Sequence, residues 1–191
     1  MLEIKKGEPW LFWPSNICKT FPEKPGNKVL VKSENFTIKL SFKLLEQDQN
    51  EKTLFTIVPN YTGISIHENR LSFALTSENG VLYEDIHHRI SENVDTEIVL
   101  INKPEYGTEI YIDGYLRLFM KDNISFCDEP HIIFGAGNFP QNGFNLNYCH
   151  CSLNYFELYH NDTLISQHDF VKFIHDKSYD LTGNCNFLNK I

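Results

Sequence analysis

Cleaving a glycosidic bond takes two carboxyl groups, about 5–5.5 Å apart to retain configuration or about 6.5–9.5 Å apart to invert it. Glu109 and Asp113 are the nearest candidates along one strand. Four strand residues separate them by roughly 13 Å, too far for either route, and Asp113 is a turn residue. Glu84-Asp85 and Asp128-Glu129 are sequence neighbours, which point to opposite faces or lie in loops. No Gly-x-Ser-x-Gly elbow offers a serine nucleophile. In Cys149-His150-Cys151 strand geometry sends both thiols to one face and the imidazole to the other, so His150 cannot activate either. A zinc site there lacks a second pair of ligands at suitable spacing, as do His87-His88 and the pair His168 and His175. No catalytic residue is therefore assigned and the chain reads as a non-enzyme. A hydrolase would need carboxylates brought together from different strands.

Other residues suit binding rather than bond breaking. Asn138-Phe139-Pro140-Gln141-Asn142 joins planar amides, which pair with hydroxyl groups, to an aromatic ring that stacks on sugar C–H groups. Glycines flank it and allow close backbone approach. With the Ser77-Glu78-Asn79 turn and the loop carrying Tyr106, it supplies the candidate ligand-binding set: Glu78, Asn79, Tyr106, Asn138, Phe139, Gln141 and Asn142. Trp10-Leu11-Phe12-Trp13-Pro14 is the densest aromatic cluster and is expected to pack onto the body of the protein, covering an edge or a sheet. His150, Ser152 and Asn154 should form a polar row on an outer face.

These residues have to be positioned by strands. Phe36, Ile38, Leu40, Phe42 and Leu44 alternate with polar residues over nine positions, the period of a half-buried strand. Strand character returns over 53–58, 64–67, 71–75, 81–83 and 86–90. Ile98-Val99-Leu100-Ile101 is apolar on both faces and reads as a central strand. Asp113-Gly114 between 109–112 and 115–120 predicts a two-residue hairpin, and Asn79-Gly80 predicts another. The stretch 144–159 reads as one long strand, with Cys149, Cys151, Leu153 and Tyr155 on one face. Phe156 and Leu158 then fall on the opposite parity, which predicts a bulge near 155–156. Residues 168–175 suggest one or two helical turns with Phe170, Val171 and Ile174 inward.

Many short strands between turn residues, with almost no helix, give an all-β fold: an antiparallel two-sheet sandwich or a barrel. The 191 residues show no composition break, so a single domain over 1–191 is expected, its core at about 28–161 with both terminal segments packed on it. The formal charge of -8 disfavours a nucleic-acid partner. No apolar run is long enough to span a bilayer. Five cysteines are an odd number for a disulfide framework and read as reduced. The sequence as written begins without a leader peptide, so a cytoplasmic location is expected and its four N-x-S/T sequons are read as unglycosylated.

From Asn35 to Asn161 the sequence resembles the laminin-G-like, concanavalin A-like jelly roll superfamily. Four features carry the resemblance: Phe36-Thr37-Ile38-Lys39-Leu40-Ser41-Phe42 as opening core strand; Gly63-Ile64-Ser65-Ile66 with Arg70-Leu71-Ser72-Phe73-Ala74-Leu75 as meander; Ile110-Tyr111-Ile112-Asp113-Gly114-Tyr115-Leu116 as hairpin; and Ile133-Phe134-Gly135 followed by Asn154-Tyr155-Phe156-Glu157-Leu158-Tyr159 as final strand. Asp180-Leu181-Thr182-Gly183-Asn184 also resembles a tail of some bacterial members. The resemblance implies a two-sheet jelly roll with a binding role, toward carbohydrate or a protein partner. Rim loops of such domains bind calcium or partners, but no calcium ligand is carried over and no cofactor is assigned. Three readings follow: a lectin-like module, accessory to a larger polysaccharide-related protein or standing alone; a protein-interaction or assembly domain; and a glycoside hydrolase with atypical carboxylates. The oligomeric state is left open.

Overall fold

The computed structural model describes residues 1–13, 35–46, 51–58, 62–77, 80–124, 131–137, 147–170, 178–179 and 187–190. Among these there is no α-helix, and the strands, numbered along the chain, pair antiparallel into two sheets. The first sheet runs β1 (Leu2–Ile4), β12 (Cys151–His160), β3 (Phe36–Leu44), β8 (Asp95–Lys103), β9 (Gly107–Ile112) and β10 (Tyr115–Met120), and β13 (Thr163–Asp169) also pairs with β12. The second runs β14 (Ser178–Tyr179), β15 (Phe187–Lys190), β2 (Trp10–Trp13), β11 (His131–Phe134), β4 (Lys52–Val58), β5 (Thr62–His67), β6 (Arg70–Ser77) and β7 (Gly80–Arg89).

Period-two patterning decides which side chains meet. In β3 the five apolar residues are buried while Thr37, Lys39 and Lys43 reach the outer face. In β8, Ile98 and Leu100 are buried, whereas Val99 and Ile101 are only partly covered outside. Between the sheets a file of rings crosses the core. Phe55 and Phe134 of the second sheet lie 6.4 Å apart, Phe134 meets Phe156 of the first edge-on at 5.2 Å, and His168 and Phe170 extend the file at 6.2 and 6.0 Å. Gly135, just past Phe134, has φ +79°, and a Cβ there would fall 2.3 Å from the Ile4 side chain, so glycine is required.

Turn chemistry follows the sequence where it is described. Asp113 and Gly114 both have positive φ, 50° and 79°, as a two-residue hairpin demands. The Asp113 carboxylate also accepts the Glu97 amide at 2.8 Å, so its function is structural. Cys149 and Cys151 are free, buried thiols, and the Cys149 hydrogen bond and then burial push the Cys151 thiol well up.

Several expectations are corrected. The segments 81–83 and 86–90 merge into the single strand β7, which absorbs a positive φ at His87 because the Asp85 carboxylate holds the His87 amide at 2.7 Å. β12 begins at Cys151, and its register shift lies between Leu153 and Tyr155, one residue ahead of the expected place. Tyr155 consequently leaves the cysteine face for the outside. His168 and Asp169 continue β13 as strand rather than starting a helix, because they pair with Phe156 and Tyr155. The aromatic cluster at Trp10 forms β2 inside the second sheet, between β11 and β15, rather than covering it. Val171, Ile174, the tail 180–184, and Cys18, Cys127 and Cys185 lie outside the described residues.

Phe134 touches rings from both sheets, so Phe134→Ala should lower unfolding free energy by about 3–5 kcal/mol. Urea denaturation would measure this, and a loss below about 1 kcal/mol would deny the ring file a central place in the core.

Candidate functional site

Of the seven residues singled out for ligand binding, the described structure includes Tyr106 alone. It sits in the turn between β8 and β9 with 69% of its surface exposed. The turn is rigidly supported: the Tyr106 amide bonds the Lys103 carbonyl at 2.9 Å, and the Asn123 amide group bonds the Pro104 carbonyl at 2.8 Å. Glu78, Asn79, Asn138, Phe139, Gln141 and Asn142 lie outside the described residues.

The outer face of the first sheet presents a denser arrangement. Register places Glu97 of β8, Ser41 of β3 and Tyr155 of β12 in one row across the strands, and Val99, Lys39 and Glu157 in the next. The Tyr155 hydroxyl donates to Glu97 Oε2, and Lys39 Nζ lies 3.4 Å from the same oxygen and 5.6 Å from the Tyr155 ring centre. Asn154, displaced by the register shift, bridges strands: its Nδ2 donates to Ser41 Oγ at 3.1 Å and to Asp95 Oδ1 at 2.8 Å. Lys43 stands 3.6 Å from Asp95. Glu157 accepts the Tyr159 hydroxyl and the Gln167 amide, each at 2.8 Å. Toward β10 the face becomes apolar, with Tyr111 beside Leu116 and Phe119 in register with Glu109.

The electrostatics are dominated by carboxylates meeting phenols. Partial burial, the bond to Glu97 and the charges of Glu97 and Glu157 together push the Tyr155 phenol far above its ordinary value. Tyr159 is raised by burial and then by Glu157. Both hydroxyls are protonated donors at neutral pH, as any phenol of ordinary or raised pKa is. Each carboxylate offers about four lone-pair sites, and the bonds above use only part of them.

The expected row of His150, Ser152 and Asn154 divides. His150 is held between Glu3 at 3.2 Å and Glu46 at 3.5 Å. Ser152 is fully buried, and its hydroxyl has no hydrogen-bond partner among the described residues. Asn154 lies beside the Tyr155 network and ties β12 to Ser41 and Asp95. Among the described residues no group of three or more His, Cys, Asp or Glu side chains converges as metal ligands. A separate concavity of about 550 Å³ opens at the turn from β5 to β6, lined by Glu51, His67, Arg70, Ser72 and Asp85 among others. Its lining holds no aromatic ring besides His67.

This two-sheet arrangement recurs in solved structures. The chain is similar to a Bacteroides ovatus protein provisionally named as carbohydrate binding, with 11% identity, 99% of this chain and 58% of that chain covered, and a TM-score of 0.60. It is similar to the binding domain of Paraclostridial Mosquitocidal Protein 1, with 16% identity over 66% of this chain and 34% of that chain and a TM-score of 0.50. Botulinum neurotoxin type C, whose passage into cells depends on interaction with two ganglioside molecules, matches at 18% identity over 66% of this chain and 32% of that chain, with a TM-score of 0.49. The fold is an antiparallel two-sheet jelly roll. The chain spans less than two-thirds of each of these structures. No protein-family model matches the sequence, and no curated protein matches it.

In this jelly roll the tyrosine face was missed in the sequence because its members are far apart. Tyr155 and Glu97 are separated by 58 positions and meet only through β3. One signal was present: Tyr111 and Tyr159 occupy polar-face positions of strands whose other parity is apolar.

A raised phenol pKa makes Tyr155 stabilise the fold fully below about pH 10. That contribution fades as pH climbs through the folded-state value. An alkaline absorbance titration should show Tyr155 ionising above about 10, and Glu97→Gln should bring it partway back. An unchanged midpoint in that variant would remove Glu97 as a cause.

Proposed function

We propose that this chain is a non-catalytic binding module that holds carbohydrate on the outer face of its first sheet. The observation that carries the reading is the Tyr155–Glu97–Lys39 network, flanked by the Asn154–Asp95 pair and by Glu157 with Tyr159 and Gln167, on a partly exposed sheet surface. Phenol rings supply faces for sugar C–H groups, and the carboxylates supply acceptors for hydroxyls. The similar folds from Bacteroides ovatus and the mosquitocidal protein, named for carbohydrate binding and as a binding domain, fit a binding role.

A hydrolase is the weaker reading. Asp95 and Glu97 share the outer face of β8, two residues and roughly 6.8 Å apart along the strand, a pair that sequence spacing had not singled out. Each has a lysine within 4 Å and is partly exposed.

One observation favours assembly with another polypeptide. The edge strand β10 leaves Tyr115, Leu116 and Phe119 exposed by 67%, 51% and 48%, and exposed edges invite pairing. Light scattering that finds only monomer at high concentration would count against self-association through this edge.

Open, shallow sites yield little surplus free energy, so affinity in the high micromolar to millimolar range is expected, roughly 4–6 kcal/mol. A glycan array followed by calorimetry should detect binding, with Tyr155→Ala and Tyr159→Ala each weakening it about tenfold or more, a loss of about 1.4 kcal/mol. Binding unaffected by both substitutions would move the site elsewhere.

A further inference from the structure

The charge and hydrogen-bond polarity of the tyrosine face restrict which glycans it can hold, an inference that rests on the carbohydrate reading above. Register brings six carboxylates to this surface: Glu3, Asp95, Glu97, Glu109, Glu157 and Asp169. It brings three lysines, and all three already have carboxylate partners. Lys39 lies 3.4 Å from Glu97, Lys43 3.6 Å from Asp95 and Lys103 3.6 Å from Glu109. His150 stands between Glu3 and Glu46. Arg117 sits at the register shift of the edge strand, over the Tyr115 ring at 5.5 Å.

The phenols are committed in the same direction. The hydroxyls of Tyr155, Tyr159 and Tyr111 each donate to a carboxylate of the face, Glu97, Glu157 and Glu109. The Asn154 amide group donates to Ser41 and Asp95, and that of Gln167 to Glu157. The phenol and amide donors thus point into the network, each lysine stands against a carboxylate, and carboxylates outnumber lysines on the face. A ligand completing this surface has to bring donors. Hydroxyl groups do so; a carboxylate or sulfate brings only further acceptors, and its charge meets an excess of like charge within a Debye length of about 8–10 Å.

We infer that the face selects saccharides without negative charge and rejects their sialylated or sulfated counterparts, with Glu97 and Glu157 as the residues that set this specificity. Both belong to the binding network, so the diagnostic quantity is the ratio of affinities rather than either affinity alone.

The test uses the full chain and matched glycan pairs that share one neutral core, with and without a terminal sialic acid or a sulfate, measured on an array and by calorimetry in 20 mM and 300 mM salt. Neutral cores should bind at least tenfold more tightly than their acidic counterparts at low salt, and the gap should narrow at high salt as charge is screened. The double variant Glu97→Gln with Glu157→Gln frees Lys39 and should shrink the neutral-to-acidic ratio at least threefold. Acidic glycans binding as tightly as the neutral cores would overturn the inference and leave the carbohydrate reading standing. A salt-independent ratio would overturn it as well, and this needs no variant to fold. No binding of any glycan, neutral or acidic, would overturn the carbohydrate reading itself and the inference with it.

Discussion

The structure depends on burying one parity of each strand. Every residue on the inward parity of β3, β8, β9 and β12 must fit against the second sheet, and the rings from Phe55 through Phe134 to Phe156 occupy the gap where the sheets come together. Interiors pack to near-crystalline density, so the spacing between sheets leaves little freedom. The outward parity carries no such duty. It leaves room for large side chains that the core does not need, and there the chain places Tyr111, Tyr155 and Tyr159.

That display is itself shaped by an irregularity. Regular pairing along β12 would keep Tyr155 on the parity of Cys151 and Leu153, inside the core. The register shift at Asn154 turns it outward, beside Ser41 and Glu97, and restores Phe156 and Leu158 to the interior. A single extra residue in one strand therefore supplies both the ring that meets Phe134 within the core and the phenol that anchors the outer network. The strong apolar character of Phe156 and Leu158 enforces the shift, since a regular strand would expose both.

Much of this was legible from local sequence. Alternation in 36–44, the Asp113-Gly114 turn and the two-sided apolar run at 98–101 each name a strand or turn from adjacent residues, and each is found. The parity break at 155–156 also foretold a bulge to within a residue or two. Legibility failed where the deciding contact is distant. Nothing near Trp10 says that its strand lies between β11 and β15, because strand order is set by packing of the whole. Glu84-Asp85 looked like a break in β7 because two adjacent carboxylates suit a turn, but both pair with β6, opposite Phe73 and Ser72. The network of Lys39, Glu97 and Tyr155 is the extreme case, assembled from three strands whose order no local pattern encodes.

Stability alone does not account for that network. Exposed ion pairs such as Lys39 with Glu97 contribute about 0–1 kcal/mol, while fixing long side chains costs rotamer entropy of similar size. Threonine or lysine at the tyrosine positions would satisfy a solvated strand face equally well and would expose less apolar area. What the network does achieve is order before any ligand arrives. Its phenols are held by carboxylates, its lysines by ion pairs and its amides across strands, so a bound sugar would not have to freeze them. On the proposed carbohydrate reading, a shallow site with few contacts would be spared about 0.5–1.5 kcal/mol per side chain already immobilised, which is how order within a sheet face would favour recognition.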